Sequence, residues 1–133
     1  MAKWSGWIAV ALIAVAFSVP IGQRLLTGKR AAPTSAPTRR HVAIGLVVAT
    51  LAFLHTLVAI VALGSPSAVA VGDLALAAGG LAFLALTAHT GLGLQLRRPK
   101  LPDRVAKRRS HTLTALLICA AVGVHSYLLY GAR

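Results

Sequence analysis

Four apolar runs divide the chain: Trp4 to Ile21, Val42 to Leu63, Leu74 to Leu96 and Leu113 to Tyr130. Each comes near the ~20 residues a helix needs to cross the hydrocarbon core of a bilayer. Ala, Leu and Val dominate all round instead of on one stripe, so helical periodicity is no guide, and length and flanks carry the assignment. Trp4, Trp7, Tyr127 and Tyr130 stand near run ends, where amphipathic rings favour the headgroup region. The pattern predicts an all-α fold, an integral membrane up-down four-helix bundle forming a single domain over residues 1–133. Lys3 ahead of an apolar run with small residues also suits a signal peptide; the first run is expected to be retained as a helix of the bundle. Ala32 to Thr38 reads as a flexible linker whose prolines bar a helix, and Gly64 to Gly72 as a short turn at the opposite end.

Composition points the same way. Of 133 residues, 57 % are apolar and only 12 % charged, too few charges to cover the surface of a soluble chain this short. The net charge of +12 would suggest nucleic acid if the basic residues were spread over a soluble surface. They are confined between the runs instead. Segment 24–40 holds Arg24, Lys29, Arg30, Arg39 and Arg40; segment 97–110 holds Arg97, Arg98, Lys100, Arg104, Lys107, Arg108 and Arg109; only Lys3 and Arg133 remain. Alternating helices put both basic loops on one side, which the positive-inside rule makes the cytoplasm, with both termini outside. The expected partner is therefore membrane lipid and not nucleic acid. Cys119 is the only cysteine, which excludes a disulfide framework, a thiolate metal cluster and a C-x-x-C-H attachment site; it is expected to act as a small packing residue. Asp73 and Asp103, the only carboxylates, sit at span ends and cannot form a catalytic acid pair within the membrane.

Ionisable residues inside spans are costly and default to functional hypotheses, so the five histidines carry most of the information. His41 and His55 are fourteen apart on the second span, and His111 and His125 are fourteen apart on the fourth. Fourteen residues turn a helix through about 1400°, which leaves each pair within ~40° of one face and ~21 Å apart along the axis. The second and fourth helices run the same way in an up-down bundle, so His41 is level with His111 and His55 with His125. Two facing imidazoles on either side of a flat macrocycle suit low-spin haem iron. Zinc fits less well, because it wants four clustered ligands and each level offers two. Gly45, Val48 and Ala52 share the face of His41 and His55, while Ala115, Ile118 and Val122 share that of His111 and His125. The small residues leave room beside the ligands, and Val48 and Ile118 are placed to fill the layer between two cofactors. On the third helix Gly79 and Gly93, again fourteen apart, fall at the two histidine levels, either clearing a macrocycle or serving close helix packing. Gly6 and Pro20 repeat that spacing on the first helix. Arg40, Arg108 and Arg109 adjoin the inner histidines and either pair with propionates or act as solvated topology charges. His89 has no partner at fourteen and reads first as a polar residue bonding a backbone carbonyl or a propionate, then as a quinone or proton site, and last as an alternative ligand.

With H-x13-H on the second and fourth spans and paired glycines on the third, the chain resembles the four-helix dihaem core of the cytochrome b family of quinol-oxidising complexes. Ferric reductases and NADPH oxidases use a similar pair of motifs. The resemblance covers nearly the whole chain, although its specific part is four histidines and two glycines. It implies two b-type haems, His41 and His111 ligating an inner one and His55 and His125 an outer one, in a protein that carries electrons between the membrane faces. A redox partner subunit or the quinone pool would then supply or accept them. The family's extra helices, long outer loop and quinone-site motif have no counterpart here, so quinol oxidation does not carry over. No dinucleotide-binding glycine fingerprint is present, which excludes a self-contained reductase. Alternatives are a single-haem anchor subunit like those of succinate dehydrogenase, a haem-free structural subunit with hydrogen-bonded histidines, and, most remotely, a transporter. A 70-residue shift lays His41 on His111, Leu46 on Leu116 and His55 on His125, which suggests two helix hairpins in parallel repeat.

Overall fold

The computed structural model describes residues 2–63 and 72–131, with side chains from Trp4 onward. The turn expected at 64–72 lies outside the described residues except for Gly72. Four helices follow one another: α1 Ala2–Thr27, α2 Ala36–Ala62, α3 Asp73–Leu96 and α4 Arg104–Gly131. The fold is an all-α four-helix bundle, and all four helices are long and apolar enough to cross a membrane. At 24 to 28 residues, they run ~36–42 Å, beyond the ~30 Å of a hydrocarbon core.

Two helices start well before their apolar runs, because hydrophobicity reports bilayer thickness and not helix length. α2 begins at Ala36 with Pro37 in its first turn, where the missing N–H costs nothing and the fixed φ suits a helix. Pro37 thus opens the helix that it was expected to bar. α4 begins at Arg104, so the basic residues from Arg104 to Arg109 are helical and the inner loop shrinks to 97–103. Arg and Lys are good helix formers. Arg104 also binds back across the loop, its guanidinium donating to the carbonyls of Leu96 (3.0 Å), Arg98 and Pro99. These are among the orphan acceptors that follow the end of α3. Gly28, at φ +65°, closes α1 with its N–H on the Arg24 carbonyl (2.9 Å), the left-handed cap that glycine adopts without strain.

Contacts fix the helix directions. Ser5 and Gly6 meet His55 while Ala16 meets His41, so α1 and α2 are antiparallel. Ala75 and Gly79 meet His125 while His89 and Gly93 meet His111, so α3 and α4 are antiparallel too. Each hairpin packs most closely within itself, and α2 with α3 supplies the next closest pairing. His41 lies beside His111 and Val48 beside Ile118, which sets α2 and α4 parallel in the 70-residue register. The basic loops share one end of the bundle, its inner end. Trp4, Trp7, Tyr127 and Tyr130 lie at the other, all exposed.

The core is thin and central. Val48, Ala85, Leu86 and Ile118 are buried together, with Leu12, Ile13, Ile44, Ala52 and Val122 packed around them. Most other large apolar side chains face outward, as expected where lipid and not water is the solvent. This central layer separates the two histidine levels.

Candidate metal centre

At the inner level the His41 and His111 rings stand edge-on to one another, 6.2 Å between centroids and 86° between planes. His89 stacks on His111 at 3.7 Å and 14°. One ring nitrogen from each of the three lies within 4.8 Å of the others. The inner level therefore offers three histidines where the sequence spacing offered two.

Each ring is anchored through Nδ1. His41 Nδ1 donates to the Ala16 carbonyl (2.8 Å), His111 Nδ1 to the His89 carbonyl (3.2 Å) and His125 Nδ1 to the Ala75 carbonyl (2.7 Å). His89 Nδ1 returns the contact to the His111 carbonyl (3.0 Å) and to Thr114 Oγ1 (2.9 Å). A carbonyl only accepts, so Nδ1 carries a proton, and in the neutral form of each ring Nε2 keeps the lone pair that binds a metal. Metal-ligating histidines are commonly oriented in this way, the second nitrogen donating to a carbonyl or carboxylate. His55 Nδ1 pairs with Ser5 Oγ at 3.1 Å, a bond either group can donate.

Three of the four anchoring carbonyls share a local device. Ala16, His89 and Ala75 each precede, by four residues, a residue without an ordinary side chain and N–H together: Pro20, Gly93 and Gly79. Positions i and i+4 lie on one helix face, so a glycine there uncovers the carbonyl one turn back. A Cβ at Gly79 would sit 2.9 Å from Cε1 and Nδ1 of His125, and one at Gly93 would sit 3.2 Å from Cε1 of His111. These glycines clear imidazole rings. Pro20 acts differently: it removes the N–H that would otherwise bond the Ala16 carbonyl, and His41 supplies the donor instead. Gly6 completes the set, its Cβ position 3.4 Å from His55 Cε1. A 73-residue shift lays Gly6, Ala16 and Pro20 on Gly79, His89 and Gly93.

A cavity of about 480 Å³ opens on the inner level, within the usual range for cofactor sites. It is lined from all four helices, with His41, His89 and His111 in its wall and Val48, Leu86 and Ile118 at the core layer. Gly45, Gly93 and Ala115 line it as well, and nothing lies within 4 Å of a Cβ built on Gly45. Its basic residues are Arg24, Arg30, Arg97 and Arg108. Arg40 and Arg109, nearer in sequence to the inner histidines, are exposed, and Arg109 lines a separate surface hollow with Asp103 and Arg104. Tertiary placement, not sequence proximity, decides which arginines meet the cavity. Cys119, expected to pack, is exposed at the cavity edge.

Sequence reasoning missed Thr114, Ser5 and the anchoring role of the Ala16 carbonyl. Only the last left a legible signal, a proline inside an apolar run. Comparison with known proteins finds no matching family model, no matching curated protein and no matching solved structure.

Proposed function

We propose that the chain is a dihaem b-type membrane cytochrome that carries electrons across the bilayer. The observation that carries this is the 6.2 Å between the His41 and His111 rings, with both Nδ1 atoms tied to carbonyls. A metal ~2.0–2.1 Å from each imidazole nitrogen, plus about 1.1 Å from nitrogen to ring centre, places two ligand rings about 6.3 Å apart. The surroundings suit a macrocycle with acidic side chains: an apolar wall thinned by Gly45 and Ala115, and a cationic set in Arg24, Arg30, Arg97 and Arg108. The same arginines disfavour a bare divalent cation. His41 and His111 would hold the inner haem, with Gly93 seating the His111 ring; His55 and His125 would hold the outer one, with Gly6 and Gly79 behind them. Haem iron supplies one-electron chemistry there, and this chain supplies the ligands, their orientation and an apolar layer between the levels. The basic loops face the cytoplasm and both termini face outward. A redox partner subunit or the quinone pool exchanges electrons with the haems.

The test is a dithionite-reduced minus oxidised spectrum of the detergent-purified protein, with haem quantified per chain by pyridine haemochrome. Two low-spin b haems per chain are expected. One haem would favour a single-haem anchor subunit, a reading that gains from the position of the 480 Å³ cavity at the inner level. Absence of haem after expression with ample haem would overturn the cytochrome assignment and leave a structural subunit with hydrogen-bonded histidines.

A further inference from the structure

Three features set His89 apart from an ordinary polar residue on a membrane helix. Its ring is stacked on His111 at 3.7 Å, so it stands one ring spacing aside from a proposed ligand. A ring nitrogen of His89 lies within 4.8 Å of those offered by His41 and His111. Its Nδ1 is tied to the His111 backbone carbonyl and to Thr114 Oγ1, the arrangement that leaves Nε2 as a lone pair. Both tethers are independent of the His111 side chain. Substituting that side chain removes the stacked ring and leaves the anchor of His89 standing.

We propose that His89 is a stand-by ligand at the inner level, one that would replace His111 in holding the haem there. This rests on the dihaem assignment above. The inner level then has His41 fixed on one side and two imidazoles, His111 and His89, serving the other. The outer level has His55 and His125 only, since the five histidines of the chain are all accounted for. Such an exchange would substitute one imidazole for another, so charge and electron count would be unchanged. With the His111 ring gone, tilting of the His89 ring about its tethered Nδ1 would swing Nε2 toward the vacated place, and the room lies in the cavity that both rings line.

The experiment compares wild type with His111→Ala, His89→Ala/His111→Ala and His125→Ala, reading haem per chain, spin state by electron paramagnetic resonance and the response to added imidazole. His111→Ala is expected to keep two haems, both six-coordinate and low-spin, with altered g-values for one and no response to imidazole. The double variant is expected to lose the inner haem or hold it five-coordinate and high-spin, with imidazole restoring the low-spin signal. His125→Ala is expected to behave at the outer level as the double variant does at the inner. Should His111→Ala not yield folded protein, His111→Gln, whose amide can donate to the His89 carbonyl, is read in the same way. A high-spin or missing inner haem in His111→Ala, matching the double variant, overturns the proposal while the dihaem assignment stands. A wild type without haem overturns the assignment itself, and the proposal with it.

Discussion

His41 Nδ1 lies 2.8 Å from the carbonyl oxygen of Ala16, the acceptor that Pro20 deprives of its helical donor. An imidazole on α2 thus completes the backbone hydrogen bonding of α1, and the defect in one helix fixes the ring orientation in the next. In lipid a backbone acceptor has no water to turn to, so the pairing has an energetic consequence. Removing His41 leaves the Ala16 carbonyl without a partner, a cost of about 1–3 kcal/mol.

That consequence can be measured by a cycle. In haem-free protein, His41→Ala is expected to lower thermal stability in detergent, and Pro20→Ala/His41→Ala to recover part of the loss by restoring the N–H at residue 20. His125→Ala is expected to cost less, because the Ala75 carbonyl keeps Gly79 N–H within α3. No recovery in the double variant would show that Pro20 and His41 are uncoupled.

The ring-seating glycines should differ in their tolerance of a methyl group. Gly79→Ala meets His125 at 2.9 Å and Gly6→Ala meets His55 at 3.4 Å, the first a clash and the second near ordinary contact. Gly79→Ala is expected to destabilise by about 1–3 kcal/mol, the range for overpacking, and Gly6→Ala by well under that. Melting temperatures of the two variants decide the order.

Gly45 borders the cavity with nothing within 4 Å of a Cβ, so Gly45→Ala should be silent. Gly45→Leu places a branched side chain at the cavity wall and, if the dihaem proposal holds, is expected to reduce haem occupancy at the inner level selectively. Haem per chain falling from two toward one, with thermal stability retained, is the expected result. Two haems in Gly45→Leu would mean that the cavity is not where the macrocycle sits.

Val48, 2 % exposed, and Ile118, 4 % exposed, join all the helices at the central layer. Truncating Ile118 to Ala is expected to cost about 2–4 kcal/mol and Val48 to Ala somewhat less, through lost contacts and the cavity left behind. Thermal denaturation would show it. A loss no larger than that of Leu116→Ala, on the exposed face of α4, would count against a packed central layer.

Topology is accessible through cysteine labelling. In a Cys119→Ser background, a cysteine at Ser35 should react with an impermeant maleimide only from the cytoplasmic face, and one at Ser5 from the opposite face or not at all. Reaction of Ser35→Cys from outside would reverse the orientation assigned from the basic loops.

Much of the bundle was legible along the chain because the bilayer imposes a length. Four runs near twenty residues, punctuated by basic segments, already imply four helices and the end at which the basic residues gather. The 14-residue spacing of His41 with His55 and His111 with His125 is likewise a property of the sequence, since helix geometry converts it directly into two levels on one face. Helix starts at Ala36 and Arg104 were not legible, because helix continuation beyond the hydrocarbon core depends on propensity and capping and not on hydrophobicity. The third inner histidine, the exchange of carbonyl bonds between His89 and His111, and the choice of Arg24, Arg30 and Arg97 over Arg40 and Arg109 were decided by tertiary structure alone. The histidine contacts depend on how neighbouring helices are rotated about their axes, and the arginine set also on the path of the connecting segments. These are quantities that no single run of residues encodes and that packing across Val48, Leu86 and Ile118 helps to set.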